Sequence, residues 1–211
     1  MDKKKLVLKI LERLAKEYAG TPQTALVFSK PFELLVATIL SAQTTDVQVN
    51  KVTKMLFKKY KTVEDFAHAQ LEELANDIRS VNFFNNKAKN IHNAAKMIIS
   101  SFGGNVPKTM DELIALPGVA RKTANIVLSS AFGMNAGIAV DTHVKRLANR
   151  LGLTKHQDPV KIENDLLPIT PQSEWGNFSH LLIFHGRNVC QARHPKHEEC
   201  ILYDICPSRK S

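Results

Sequence analysis

The fold is indicated by a nine-residue stretch, Leu116-Pro117-Gly118-Val119-Ala120-Arg121-Lys122-Thr123-Ala124. Proline fixes φ at the second position of a tight turn and glycine accepts a positive φ at the third, so residues 116–119 are predicted to form a turn. The turn leads into a helix whose first backbone N–H groups have no partner within that helix. Such a nest of donors suits a phosphate oxygen. Proline and glycine alone would indicate only a corner between helices, and the whole string is more specific.

Helical periodicity extends over almost all of the remaining chain. About ten helices with short connections are predicted, among them one from Lys87 to Phe102 that the pair Gly103-Gly104 ends. The tail from Cys190 has no period and is predicted to be a loop. Because no alternating strand pattern and no low-complexity linker occur, the sequence predicts an all-α architecture.

The charge of the chain is strongly unbalanced. Lys and Arg number 29 against 20 Asp and Glu, giving a net charge of +9. Such an excess attracts a polyanion, of which nucleic acid is the usual one. No apolar run approaches the roughly 20 residues that cross a bilayer, and the amphipathic N-terminus does not resemble a signal peptide. We therefore expect an intracellular protein with no membrane association, in the cytoplasm or nucleoid if the source is prokaryotic.

The nine-residue string resembles the helix-hairpin-helix motif of the DNA glycosylase superfamily, and from Pro31 to Cys206 the chain is similar to the endonuclease III family. The resemblance implies a two-domain, all-α glycosylase fold. A helical barrel domain at 24–134 contains the hairpin, and segments 1–23 and 135–211 together form an iron–sulfur cluster domain. The hairpin of the family grips the DNA backbone, here through Gly118 and through Ala120, where the family often has a second glycine.

Lys122 and Asp141 are the candidate catalytic residues. Lys122 lies in the first turn of the helix after the hairpin, where the helix dipole disfavours protonation of an amine, and partial desolvation would act in the same direction. A free amine lone pair is what a nucleophile requires. Asp141 closes a short apolar run, and its own position also fits the N-cap of a helix from Thr142. The resemblance assigns both residues to the active site.

The reaction implied by the resemblance is that of a bifunctional DNA glycosylase and AP lyase. The amine of Lys122 attacks C1′ of an oxidised pyrimidine nucleotide, with Asp141 deprotonating the amine or stabilising the cationic sugar. The Schiff base that forms makes the C2′ proton acidic, and β-elimination nicks the strand 3′ to the abasic site. The expected partner is double-stranded DNA with damaged bases or abasic sites, bound by a monomer, with the damaged base flipped into a cleft between the domains.

Two further segments resemble those with which the family fills the space of the flipped nucleotide. Gln43, in Ser41-Ala42-Gln43-Thr44-Thr45-Asp46, matches the glutamine that enters the duplex. Phe83, in Val81-Asn82-Phe83-Phe84, matches the wedge on the opposite strand, where an aliphatic residue is more common. The alternatives are a polar helix C-cap for Gln43 and ordinary core packing for Phe83.

The three cysteines all lie in the last 22 residues, which favours a metal or redox site over a disulfide framework. The family binds a [4Fe–4S] cluster through four cysteines, whose spacing matches that of Cys190, His197, Cys200 and Cys206 here. His197 therefore stands where the family has its second cysteine. Imidazole replaces thiolate in some iron–sulfur centres, a Cys₃His set also suits structural zinc, and a loop without metal is the third alternative. His194 does not preserve the spacing.

The loop between the first two ligands contains Arg193 and Lys196, which we expect to contact DNA phosphates. Three other functions are weighed against this one. A mismatch-type, adenine-removing glycosylase has the hairpin and the cluster without a lysine at the position of Lys122, and the oxidised-guanine branch has no metal tail. A non-catalytic DNA-binding module stabilised by metal is disfavoured by the pair of Lys122 and Asp141.

Overall fold

The computed structural model describes residues 2–22 and 24–209. Met1, Gln23, Lys210 and Ser211, which belong to the predicted terminal domain, lie outside the described residues. Within those two ranges the chain forms eleven α-helices and four short 3₁₀ turns, and no β-strand occurs. The prediction of an all-α architecture is confirmed. None of the helices in the described part is long and apolar enough to cross a membrane.

The helices follow one another with short connections. In chain order they are α1 (Lys3–Glu17), α2 (Pro31–Ser41), α3 (Asp46–Lys59), α4 (Val63–His68), α5 (Leu71–Asp77), α6 (Phe84–Phe102), α7 (Met110–Ala115), α8 (Arg121–Phe132), α9 (Thr142–Arg150), α10 (Pro159–Leu166) and α11 (Trp175–Asn188). The predicted helix at Lys87–Phe102 begins three residues earlier, at Phe84, and ends as predicted at Gly103, which adopts φ 58°. α4 was not predicted.

The chain divides into two compact units. The central unit comprises Thr24–Met134, and the terminal unit comprises Met1–Gln23 together with Asn135–Ser211. Each unit has its own cluster of buried apolar side chains.

The central unit is built around α2. Proline at its first position starts this helix without losing a hydrogen bond, and almost every following side chain is buried. The helix packs against α3, α6 and α8, while α4 and α5 pack on α6. A helix surrounded in this way must be apolar on all faces, as the sequence of α2 is. The packing fixes the two ends of α2 and the start of α8.

In the terminal unit, α1 and α9 both pack against α11. α1 buries one apolar stripe of five residues, Leu6, Val7, Ile10, Leu11 and Leu14, and leaves its lysines in solvent. α11 buries Phe178, Leu181 and Leu182. The tail beyond α11 contains 3₁₀ turns at His197–Glu199 and Tyr203–Ile205. This unit therefore holds both Asp141, at the start of α9, and the cysteine-containing tail.

Candidate functional site

The hairpin between α7 and α8 forms the predicted turn. The N–H of Val119 donates to the carbonyl of Leu116 at 3.1 Å, and Gly118 between them adopts φ 79°. A Cβ at Gly118 would stand 2.8 Å from the Cβ of Asn90 on α6, which is closer than carbon atoms approach. Glycine is therefore required here both by backbone conformation and by the contact with α6.

The N-terminus of α8 opens directly from this turn. Ala120 is the N-cap, with φ −88°, and offers no side-chain acceptor to the first amides of the helix. Most helices satisfy one of these donors with a serine, threonine or aspartate cap. Here the side chain of the N-cap supplies no such acceptor, and the start of α8 is the positive end of the helix dipole, an arrangement suited to an anion. A second glycine is unnecessary at Ala120, since its φ is negative.

Lys122 is the second residue of α8 and is exposed. Its position in the first turn agrees with the sequence interpretation, but the protein itself does not bury the side chain. Any desolvation of the amine must therefore come from a bound ligand. The neighbouring Arg121 is exposed as well, so the start of α8 presents two cationic side chains.

Asp141 caps α9. Its Oδ1 accepts hydrogen bonds from the backbone N–H groups of His143 and Val144, both at 2.8 Å. The preceding residues are fixed in the terminal unit, because the hydroxyl of Ser179 donates to the carbonyl of Ala139 at 2.6 Å and Glu163 accepts from the N–H of Ile138 at 3.2 Å. Both cap bonds fall on Oδ1. The other oxygen, Oδ2, takes part in neither cap bond.

Gln43 and Phe83 share an unusual feature of the backbone. They adopt φ 55° and 57°, and among the described residues they are the two that are not glycine yet have positive φ. A side chain in this region costs on the order of 1–3 kcal/mol and persists where its surroundings enforce it. Gln43 is exposed just after α2, and Phe83 is 61% exposed at the N-cap of α6. Core packing is therefore wrong for Phe83, whereas Phe84 does pack on the core.

The four predicted metal ligands line one cavity in the terminal unit: Cys190, His197, Cys200 and Cys206. His194 does not line it. Three thiols and an imidazole are soft ligands of the kind that hold iron–sulfur clusters or zinc, so the donor set fits such a group. Across residues 2–22 and 24–209, however, no three His, Cys, Asp or Glu side chains already stand in metal-ligating geometry. His197 is exposed and its ring packs edge-on against Tyr203, so ligation requires it to turn.

Two buried or half-buried groups around this cavity were not among the site residues predicted from the sequence. His185 is buried on α11, where its Nδ1 is hydrogen-bonded to the hydroxyl of Tyr18 at 2.9 Å and its Nε2 lies 3.5 Å from the Sγ of Cys200. Burial lowers the pKa of His185 to about 4, so the ring is neutral at pH 7. Arg150, at the end of α9, donates to the Sγ of Cys190 at 3.2 Å and to the carbonyl of Gln191 at 2.8 Å.

His185 could have been found from the sequence, because it lies on α11 about one and a half helical turns before Cys190. Arg150 gave no local signal, because it reaches the tail from α9. Burial raises the pKa of the Cys200 and Cys206 thiols.

The basic residues of the tail lie on its surface. Arg193 and Lys196 are both exposed, and the ammonium of Lys196 forms an ion pair with Glu199 at 3.1 Å. An exposed pair of this kind contributes little to stability and exchanges readily for another anion. Both side chains are thus accessible to phosphate.

Comparison with known families gives two matches along the chain. Residues 36–172 match the HhH-GPD superfamily of base excision DNA repair proteins. Residues 190–206 match the iron-sulfur binding domain of endonuclease III. The first match spans more than half of the sequence and includes the hairpin, Lys122 and Asp141. The second coincides with the four residues that line the cavity of the tail.

Individual relatives and solved structures agree with these families. An endonuclease III of Synechocystis sp. is 52% identical over 210 residues, covering 100% of this chain and 95% of that protein. An endonuclease III of Bacillus subtilis is 53% identical over 182 residues, covering 86% and 83%. A trapped endonuclease III–DNA covalent intermediate, solved as an estranged-adenine complex, superposes with a TM-score of 0.92 at 45% identity, covering 100% and 98% of the two chains.

Proposed function

Because the chain belongs to the endonuclease III family of HhH-GPD base excision DNA repair proteins, we propose that it uses Lys122 and Asp141 to excise damaged bases and nick the strand. The family membership predicted from the sequence is confirmed. The chain is a bifunctional DNA glycosylase and AP lyase, with DNA as its partner. The residues that perform each step, the lesion and the ligands of the cluster are our proposal.

Backbone amides of the hairpin bind a DNA phosphate. Gly118 allows the chain to turn tightly, and Ala120 leaves the first amides of α8 without a side-chain acceptor. A phosphate oxygen replaces the missing cap and meets the positive end of the helix dipole. Phosphate contacts of this kind hold the duplex in place irrespective of its sequence.

Lys122 is the nucleophile. Its Nζ attacks C1′ of the damaged nucleotide, forming an N–C1′ bond while the C1′–base bond breaks and the base leaves with that electron pair and a proton. The sugar ring then opens at O4′ to give the Schiff base, which acidifies the C2′ proton. Loss of that proton forms a C2′–C3′ double bond and expels the 3′ phosphate. The exposed side chain, close to the phosphate-binding amides, supports this assignment.

Asp141 supplies the carboxylate that the amine and the cationic sugar require. Two backbone N–H groups hold Oδ1, which fixes the orientation of the carboxylate and leaves Oδ2 to accept a proton from the amine or to stabilise positive charge on C1′. A carboxylate fixed in advance acts without reorganisation during the reaction. Capping and catalysis are thus compatible roles for one side chain.

Gln43 and Phe83 occupy the duplex where the damaged nucleotide has left. Both side chains are exposed, and both come from residues held in the left-handed backbone region. A phenyl ring on the surface is unfavourable in water and gains stability by stacking between bases. The oxidised pyrimidine as the preferred lesion, and action as a monomer in the nucleoid, are carried over from the family resemblance.

Cys190, His197, Cys200 and Cys206 hold an iron–sulfur cluster, with [4Fe–4S] as the proposed type and structural zinc as the alternative. When bound, the cluster ties the tail to the end of α11. The four ligating residues would thereby fix the loop that presents Arg193 and Lys196 to phosphates. Iron, sulfide and zinc analysis of the purified protein distinguishes the two metals.

The observation that supports the proposal most directly is the exposed Lys122 in the first turn of α8, next to the uncapped amides. Borohydride reduces a Schiff base to a stable amine, so mixing protein, borohydride and duplex containing an abasic site should give a covalent adduct. Lys122→Ala should give neither adduct nor nick, whereas Lys161→Ala, which removes an exposed lysine from the first turn of α10, should react like the unmodified protein. Adduct formation by Lys122→Ala at the normal yield would refute the assignment.

A further inference from the structure

The ammonium group of Lys87 lies inside the central unit with only neutral partners. Lys87 is 5% exposed, and its Nζ donates to the carbonyl of Leu40 at 2.7 Å, the carbonyl of Ala42 at 2.6 Å and the hydroxyl of Thr44 at 3.2 Å. An ammonium has three N–H donors, and these three acceptors use all of them. All three acceptors belong to the segment that ends α2 and surrounds Gln43. The position of Lys87 thus fixes that segment.

The placement of this charge is explained by α2 and not by α6. Lys87 stands in the first turn of α6, where a positive charge is disfavoured, but its ammonium reaches the negative end of the α2 dipole. Leu40 contributes one of the last carbonyls of α2, which have no partner within the helix. Burial lowers the pKa of Lys87. A buried ammonium whose described hydrogen-bond partners are all neutral is a costly way to end a helix, so a requirement beyond capping is indicated.

Asn82 connects the same segment to the second strained residue. Its side-chain amide donates to the carbonyl of Gln43, and its backbone N–H donates to the hydroxyl of Thr44 at 3.3 Å. The hydroxyl of Thr44 therefore accepts from both Asn82 and Lys87. Asn82 directly precedes Phe83, and Lys87 follows it by one turn of α6. The segments that contain Gln43 and Phe83 are thus linked by hydrogen bonds through Asn82 and Lys87.

We propose that Lys87 and Asn82 are positioning residues that hold Gln43 and Phe83 at a fixed spacing, so that both side chains enter the duplex together. This inference rests on the proposed function, in which Gln43 and Phe83 contact DNA. Two residues ordered in advance lose less conformational freedom on binding than two independent loops would. DNA binding then requires the strained backbone at Gln43 and Phe83, and Lys87 and Asn82 maintain that backbone conformation.

The test compares Lys87→Met with Lys89→Met. Lys89 is exposed on the same helix, so both variants lose one positive charge and only the first loses the three hydrogen bonds. Borohydride trapping is measured on a duplex containing an abasic site and on a single-stranded oligonucleotide containing the same site, which has no stacked partner to be displaced. We expect Lys87→Met to trap at least about tenfold more slowly than Lys89→Met on the duplex, and within about twofold on the single strand.

A fluorescent base analogue opposite an unreactive abasic site provides a second readout. Insertion of a wedge unstacks the analogue and raises its fluorescence, so Lys87→Met should give a smaller rise at saturating protein than Lys89→Met. Compared with Asn85→Ala, Asn82→Ala should likewise trap more slowly on the duplex and give a smaller fluorescence rise. Because Asn82 is exposed, this pair tests the inference even if Lys87→Met does not fold.

Three results would overturn the inference. The first is equal loss of trapping on both substrates, which would mean general damage to the fold. The second is unchanged trapping on the duplex in both Lys87→Met and Asn82→Ala. The third is an unchanged fluorescence rise in both variants. Failure of the proposed function would look different, since the unmodified protein would then trap neither substrate.

Discussion

Asp141 can be replaced in two ways that separate its role as a helix cap from its role in the reaction. Asparagine caps helices as well as aspartate does, whereas alanine offers no acceptor. Asp141→Asn therefore keeps the two bonds to the amides of His143 and Val144, both at 2.8 Å in the structure, and removes only the negative charge. Asp141→Ala removes both the bonds and the charge.

The expected magnitudes follow from these bonds. Loss of an aspartate cap costs about 1 kcal/mol of unfolding free energy, and loss of a negative charge at a helix N-terminus costs about 0.3–1 kcal/mol. For a protein of this size 1 kcal/mol lowers Tm by about 2–4 °C. We therefore expect Asp141→Asn to lower Tm by roughly 1–4 °C and Asp141→Ala by roughly 3–8 °C.

Activity should follow a different order. Loss of one acid–base group slows the reaction by about 100-fold, equivalent to about 2.7 kcal/mol in the transition state, so both variants should lose base removal to a similar extent. The assay is single-turnover release of an oxidised pyrimidine from duplex DNA, with nicking of a preformed abasic site measured in parallel. The second reaction should be affected far less, because no base has to leave.

A matched control is available at the start of α10. Asp158 caps that helix by accepting from the N–H of Lys161 at 3.0 Å, and no catalytic role is proposed for it. Asp158→Ala should lower Tm without slowing base removal. The reasoning would be refuted if Asp141→Asn released the base at within about threefold of the normal rate, because a cap alone would then account for this residue.

Three further outcomes are expected. In fluorescence anisotropy titrations with undamaged duplex, log K for binding should fall linearly with the logarithm of the salt concentration. Arg193→Ala and Lys196→Ala should each reduce the slope of this line by about one unit. An unchanged slope would place these side chains away from phosphate. His197→Ala should lose bound iron and visible absorbance while His194→Ala keeps both, and the reverse result would identify His194 as the ligand. Gly118→Ala should lower the unfolding free energy by at least about 1 kcal/mol in thermal denaturation, because alanine at positive φ is strained, and should weaken duplex binding. A normal Tm and a normal affinity would contradict the role of the turn.

Features determined by neighbouring residues could be predicted from the sequence. The turn at Pro117 and Gly118 is one example, because these two residue types restrict or permit particular φ values by themselves. The cap at Asp141 is another, since its partners lie two and three positions further along the chain. The start of α8 at Arg121 followed directly from the turn.

Short elements and distant contacts could not be predicted. α4 has six residues, too few to show a helical period, although Thr62 and Asp65 form a capping box at its start. The sequence also placed the start of α6 at Lys87, because the left-handed conformation of Phe83 has no local signal in a phenylalanine. The partners of Lys87 lie more than forty residues earlier in the chain. Only the folded chain brings such groups together.

The pairing of α1 with α11 has a consequence for synthesis of the protein. α1 leaves the ribosome well before α11, which covers part of its apolar stripe and begins only at Trp175. Roughly 160 residues must be added in between, which takes on the order of 10–30 s at typical elongation rates. During that time Thr24–Met134 can fold as a contiguous segment, while the apolar stripe of α1 lacks the surface of α11. A ribosome stalled before α11 would therefore display this helix to chaperones and proteases.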